Sequence, residues 1–371
     1  MPLLGGVPSQ RVPRNLQFRS LGEQVLMKAV YGLRVPRFFL AALFLVGLAS
    51  VFTFADDPVA ESVRPPLRLG KVTVLGPVAC PAGATRGAIC TSVSVACPAV
   101  PNLTATLSEA SPTGTALGTI ILANGGGGTT FFNAGFANTY LNDGFRVFQL
   151  LWASDWENTN GVGVKSAACR PATIFRYAFF TVQAGSHASA FCAQGTSGGG
   201  ASIGYSLAQY GMSDYFDYVL ISGGPGVSRM DYGCDKDLYT GPALTLCPLL
   251  TNAPFAYTGG KQVNGWENTT TCSVKPPLQS DIDKWAADAL VTPSGNYTYP
   301  KTGMSWYFCV TPPANDSNGQ GKFLIDQVHP KNVPDVSCYS GACTSESVWQ
   351  DKNAFNAMVA EMISQCVPNH R

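Results

Sequence analysis

Histidine is scarce in this chain: three in 371 residues, at positions 187, 329 and 370. Charge is scarce too, with 13% charged side chains and a formal net charge of +1. No Lys/Arg-rich run follows the N-terminal region, so the electrostatic footprint of a nucleic-acid binder is missing. No Cys-x2-Cys pair occurs, and with so few histidines the cysteines do not form a zinc-binding pattern. A run of glycines is present, but no Gly-Lys-Ser/Thr follows it, which excludes a phosphate-binding loop of the nucleotide-hydrolase type. No internal repeat is evident.

Apolar and half-polar residues dominate what is there. Hydrophobic residues make up 46% of the chain, enough for one large core or a core with a cap. Residues Phe38 to Phe54 form an uncharged apolar run preceded by Arg34 and Arg37. Thr53-Phe54-Ala55 places small residues at both cleavage positions, and Asp56-Asp57 follows. This is the pattern of an export signal over residues 1–55, with Met27 as an alternative start. An uncleaved leader is the only membrane contact the sequence suggests. Residues 1–55 hold six of the 24 basic and one of the 23 acidic side chains, so the remainder carries a formal −4. All twelve cysteines lie between Cys80 and Cys366. An even number in an exported chain predicts up to six disulfides and a secreted or periplasmic location. Cys338 and Cys343 are near enough in sequence to be partners.

Residues 56–70 read as a loose linker and 71–371 as the folded domain. Strand-like runs occur at Lys71 to Leu75, Thr91 to Ala96, Gly118 to Ala123 and Phe145 to Leu151. A helix is expected over Pro171 to Gln183, where proline suits the first turn. A short apolar run, Ala188 to Ala193, then leads into a helix over Gly198 to Tyr210, followed by a strand at Tyr218 to Ser222. Residues 223–303 break this rhythm. They are rich in Gly, Pro, Thr, Asn and aromatic residues and contain Cys234, Cys247 and Cys272, which reads as a disulfide-rich cap over one end of a sheet. Alternation resumes with a strand at Ser305 to Val310, a helix over Gln320 to Val328, and a strand at Asp335 to Tyr339. The last helix presents Phe355, Met358, Val359, Met362, Ile363 and Cys366 on one face. Strands alternating with helices predict an α/β fold with a mainly parallel sheet covered on both faces.

The chemistry is concentrated in Gly195-Thr196-Ser197-Gly198-Gly199. Gly-x-Ser-x-Gly between a strand and a helix is a nucleophile elbow, whose sharp turn needs glycines around the serine. Asn124-Gly125-Gly126-Gly127-Gly128 directly follows an earlier strand. Backbone N–H groups of Gly126 or Gly127, with that of Gly198, are suited to receive the negative charge that develops on a carbonyl oxygen during acyl transfer. In this order of parts the chain resembles the α/β-hydrolase superfamily, in particular its secreted serine esterases and lipases, over roughly residues 70–366. The resemblance implies a Ser, acid, His triad in that chain order, no cofactor and no metal. It places Ser197 as nucleophile and Asp316, in the loop after the strand Ser305 to Val310, as acid, with Asp326, Asp335 and Asp231 as alternatives. The loop where the family keeps its histidine, Gly341 to Glu346, holds none. Chain order then selects His329, between the acid and the last helix, over His187 and His370. The implied substrate is a small-molecule or polymeric carboxylic ester. A catalytically degenerate binding protein, or a peptidase or polyester depolymerase on the same scaffold, are the alternatives. The Gly-Thr-Ser-Gly-Gly string is also similar to that of chymotrypsin-like proteases, but those need a histidine and an aspartate well upstream of the serine.

Overall fold

The computed structural model describes residues 65–368, apart from 160, 243, 247–275, 312–315 and 345–346. The expected leader and most of residues 56–70 lie outside the described residues, as do Cys247, Cys272, much of the expected cap, and His370. No described helix is long and apolar enough to cross a membrane.

Eleven strands and eight α-helices organise the described chain. In order they are β1 (Lys71–Val78), β2 (Ile89–Cys97), β3 (Val100–Ala110), β4 (Gly118–Ala123), α1 (Ala134–Asn142), β5 (Arg146–Trp152), α2 (Val164–Ala167) and α3 (Cys169–Thr181). Then come β6 (Ala190–Thr196), α4 (Gly198–Tyr210), β7 (Tyr218–Ser222), α5 (Met230–Cys234), α6 (Gln279–Asp288), β8 (Thr298–Tyr299) and β9 (Gly303–Cys309). The chain ends with α7 (Asp316–Ile325), β10 (His329–Pro330), β11 (Asp335–Tyr339) and α8 (Lys352–Gln365).

Nine strands form one sheet in the order β1-β2-β3-β5-β4-β6-β7-β9-β11. The strands from β5 to β11 pair in parallel, while β1, β2 and β3 are joined antiparallel to the β5 edge. The central parallel strands β4, β6, β7 and β9 are buried along both faces, and the period of two sends alternate side chains into two cores. On β4, Ile121 and Ala123 enter one core with Ile174 and Phe175 of α3 and Ile203 and Leu207 of α4. Ile120 and Leu122 enter the other, with Phe136 and Tyr140 of α1 and Met358 and Met362 of α8. The expectation of a mainly parallel sheet with helices on both faces is met.

The β4 and β6 strands are neighbours, yet the chain leaves β4 toward β5 and reaches β6 only later. At such a switch point the loops beyond the strand ends diverge and leave a crevice. The loop after β4 and the loop after β6 both open there.

Four disulfides are defined: Cys80–Cys90, Cys97–Cys169, Cys192–Cys366 and Cys309–Cys343. Cys234 and Cys338 are disulfide-bonded as well. The expected Cys338–Cys343 pair is corrected: Cys343 is bonded to Cys309. Sequence proximity misleads here because Cys338 lies within β11, in register with Phe308 rather than facing its own following loop.

Candidate active site

Ser197 stands between the last residue of β6 and the first of α4, with φ 50° and ψ −117°. This is a left-handed backbone that a residue with a Cβ adopts only under strain, at a cost of ~1–3 kcal/mol. The turn is held from both sides. Ser197 N–H donates to Ser222 O at the end of β7 (3.0 Å), and Ser197 O accepts from Ala201 N–H (2.9 Å) in the first turn of α4. The tightness of the turn explains its glycines. A Cβ on Gly199 would lie 2.0 Å from Ala123 O, and one on Gly195 would lie 2.6 Å from the carbonyl carbon of Gly199.

The glycine loop after β4 lies directly against this turn. A Cβ on Gly125 would be 3.2 Å from Cβ of Ser197, and one on Gly198 would be 2.2 Å from Gly126 O. Gly126 takes φ +55°. The loop is shaped by the segment that follows β5. Trp152 N–H donates to Gly128 O (2.9 Å), Trp156 N–H to Gly127 O (3.1 Å), and Gly128 N–H back to Gly125 O (3.2 Å). Asn124 closes the base of the loop through Nδ2 to Thr130 Oγ1 (2.6 Å). Among the described residues no acceptor takes the N–H of Gly126, Gly127 or Gly198. Loop and elbow therefore leave three backbone donors unengaged, with Gly126 and Gly198 against one another at the turn.

A third wall comes from the loop after β7. A Cβ on Gly224 would be 3.2 Å from the Ser197 Cα. Helix α7 packs on that loop: Gln320 accepts from Arg229 N–H (2.6 Å) and donates to Arg229 O (2.9 Å). Asp316 is the first residue of α7. It therefore follows β9 at the same end of the sheet as Ser197, and its side chain lies outside the described residues.

The other sequence candidates are elsewhere. His329 is exposed and belongs to the small β8–β10 pair, where its N–H donates to Tyr297 O (2.7 Å). The next residues are tied to the start of β9: Lys331 N–H donates to Thr302 O, and Asn332 clasps Met304 through both its N–H and its carbonyl. Ser197 is level with the other end of β9, since its partner Ser222 is in register with Tyr307. Five residues of strand, at about 3.3 Å each, separate the two levels. The expectation that His329 serves Ser197 is corrected: chain order was satisfied, but the crossover from α7 returns the chain to the opposite edge before His329 is reached.

His187 precedes β6 at that same opposite edge. It packs on Phe179, with ring centroids 4.8 Å apart, and its Nδ1 is 3.5 Å from Asp217 Oδ2. Among the alternative acids, Asp231 is engaged by Arg229 (Nε to Oδ1, 2.9 Å), Asp326 pairs with Lys322, and Asp335 begins β11 in register with Ser305.

Two carboxyls that sequence reasoning passed over stand beside the glycine loop. Asp155 presses on Gly127, where a Cβ would lie 2.1 Å from Oδ1. Glu157 is 4% exposed, and burial, with the Asp155 charge adding to it, holds its carboxyl well above the usual range. Their position immediately after a strand, at the end of the sheet that carries Ser197, was the available signal.

The strand order, the crevice at the β4–β6 switch point and the serine elbow define an α/β-hydrolase fold. No family model and no curated protein matches the chain. Among solved structures, it is similar to a brefeldin A esterase described as a bacterial homologue of human hormone-sensitive lipase. That match has 13% identity and a TM-score of 0.45, covering 78% of this chain and 79% of the other. A thermostable carboxyl esterase from Bacillus coagulans is similar at 11% identity and TM-score 0.44, over 74% and 97% of the two chains. An esterase from Pyrobaculum calidifontis is similar at 12% and 0.42, over 89% and 92%. The fold assignment rests on the chain's own topology and elbow.

Proposed function

We propose that the protein is a secreted or periplasmic serine hydrolase that cleaves carboxylic esters through an acyl-enzyme on Ser197. The observation that carries this reading is the strained left-handed backbone of Ser197 beside three unengaged N–H groups. A folded chain tolerates such strain where it serves a site. Ser197 Oγ attacks the ester carbonyl, and the carbonyl oxygen, negative at the tetrahedral stage, is received by N–H groups of Gly126, Gly127 and Gly198; the ester carbon–oxygen bond then breaks, and the alcohol leaves with the proton that Ser197 gives up. Each such donor is typically worth ~3–4 kcal/mol of transition-state stabilisation. Asp316 is the proposed acid, consistent with its place after β9 on the catalytic edge. A fluorophosphonate probe is expected to label the secreted protein at Ser197, and Ser197→Ala to abolish both labelling and hydrolysis of short-chain aryl esters. Absence of both activities in folded wild-type protein overturns the reading.

One observation favours a second reading, a binding protein on a degenerate hydrolase scaffold: neither described histidine reaches Ser197. On that reading Ser197→Ala leaves ligand binding unchanged and no ester turns over.

A further inference from the structure

The loop Gly125 to Gly128 has no side chain of its own to hold its shape, and Gly126 and Gly128 take left-handed backbones, at φ +55° and +70°. A run of glycines has many conformations open to it. Its N–H groups are therefore aimed by contacts from outside the loop. Those contacts lead, bond by bond, to one buried side chain, Arg170 in the first turn of α3.

The path starts at a donor beside the elbow. A Cβ on Gly198 would lie 3.1 Å from Gly126 N. Gly126 N–H and Gly125 C=O belong to one planar peptide unit and point in opposite directions. Gly125 O accepts from Gly128 N–H (3.2 Å), which directs Gly126 N–H the other way. Gly128 N–H shares its own peptide plane with Gly127 O, and that oxygen accepts from Trp156 N–H (3.1 Å). Trp156 is held in turn by Arg170, whose Nη1 donates to Trp156 O (2.6 Å) and to Asn158 O (2.6 Å). Arg170 Nη2 donates to Pro101 O on β3 (2.7 Å). The preceding residue, Cys169, is bonded to Cys97 of β2, so both ends of the arginine are fixed to the antiparallel part of the sheet. Arg170 is 2% exposed, and among the described residues no carboxylate pairs with it. Burial brings its pKa down to about 10, which leaves it charged at neutral pH. A buried cation without a counterion destabilises a fold, so its retention calls for an explanation.

We propose that Arg170 is a positioning residue that aims the Gly126 N–H at the carbonyl oxygen of the substrate. The inference rests on the serine-hydrolase reading above and deepens it by naming what holds the donor in place. Arg170 acts only through Trp156 and the peptide planes of the glycine loop. Its planar fork bridges carbonyls from two segments at once, which a single ammonium does less well. Without it the loop is free to turn its N–H groups away. The negative oxygen of the tetrahedral stage then loses stabilisation, while binding of the uncharged ester changes little.

The test compares the secreted full chain with Arg170→Met, which loses every donor, and Arg170→Lys, which keeps the charge and loses the fork. Each is assayed on an aryl ester and on the matching aryl thionoester, whose sulfur accepts hydrogen bonds weakly. Arg170→Met is expected to lower kcat on the ester about 10²-fold with KM little changed, and to slow fluorophosphonate labelling of Ser197 alongside. On the thionoester the loss is expected to stay within about tenfold, so the wild-type preference for the ester falls. Arg170→Lys is expected to lie between the two proteins in both kcat and preference. If the methionine variant does not fold, the lysine variant carries the same test. An unchanged preference overturns the inference, whether activity is lost equally on both substrates or kept on both. Failure of both variants to fold overturns it as well, since it marks a role in the fold alone. Failure of the wild-type chain to label removes the hydrolase reading itself, and is seen before any variant is made.

Discussion

Glu157 shows how a single residue near the site sets a condition on the whole. Its carboxyl is buried beside Asp155, and both burial and that charge favour the protonated form. The folded chain thus holds this proton more tightly than the unfolded chain does. Below the unfolded pKa of about 4.3 both states are protonated and nothing is lost. As pH rises above it the unfolded state releases the proton first, and stability falls by about 1.4 kcal/mol per pH unit until the native carboxyl itself ionises. Glu157→Gln removes the titration. Urea unfolding of the two proteins is expected to coincide near pH 4 and to separate, with the glutamine variant more stable, as pH rises toward 8. Parallel curves across that range would mean that Glu157 is ionised in the native state. The elbow residues were legible one by one, because a glycine beside a nucleophile has a steric reason visible in the string. Asp155 and Glu157 were not, because their meaning comes from where β5 ends.

At the scale of elements, α6 in the described end of the cap region is tied to helices α2 and α4 by contacts across the sequence. The Asp288 carboxylate, at the end of α6, accepts from Val164 N–H (2.6 Å) and Lys165 N–H (2.9 Å) at the start of α2. Its own carbonyl accepts from Tyr205 Oη (2.7 Å) on α4. Asp288→Ala leaves two donors at a helix start, one of them buried, without their acceptor and is expected to cost ~1–2 kcal/mol, read as a lower urea midpoint at unchanged slope. The helices were legible where a wide apolar face repeats, as in α4 and α8. Helix α1 was missed because Asn133, Gly135, Asn138 and Asn142 read as turn residues. In fact Asn133 Oδ1 caps the helix at Gly135 N–H (2.7 Å), and the face from Phe136 to Tyr140 supplies the packing. Strand β3 was missed for a similar reason, since Pro101 and Asn102 hide an alternation that pairs with both β2 and β5. The helix expected from Gln320 begins at Asp316, four residues earlier, so the expected acid opens α7 rather than lying in a loop.

Over the whole molecule, the position of a residue on one edge of the sheet or the other decides what it can do, and sequence order does not carry that information. His329 follows Asp316 as a catalytic histidine should, yet lies at the far end of β9. The same limit applied to the cysteines: their even number predicted disulfides, while the pairs follow the topology. Cys192 lies in the middle of β6 and Cys366 just past the end of α8, 174 residues apart, and both are buried. Their bond fastens the last helix to the strand that leads into Ser197. Two tyrosines hold the same helix from neighbouring strands: Tyr218 on β7 donates to Glu361 Oε1 (2.6 Å), and Tyr307 on β9 donates to Glu361 Oε2. Helix α8 therefore keeps polar anchors when the covalent one is removed. A Cys192→Ala, Cys366→Ala double variant is expected to fold, to lose about 2–5 kcal/mol of stability, and to keep fluorophosphonate labelling of Ser197, because the elbow's own contacts run to Ser222 and Ala201. Loss of labelling in a folded double variant would show instead that α8 is needed to hold the elbow in its left-handed turn.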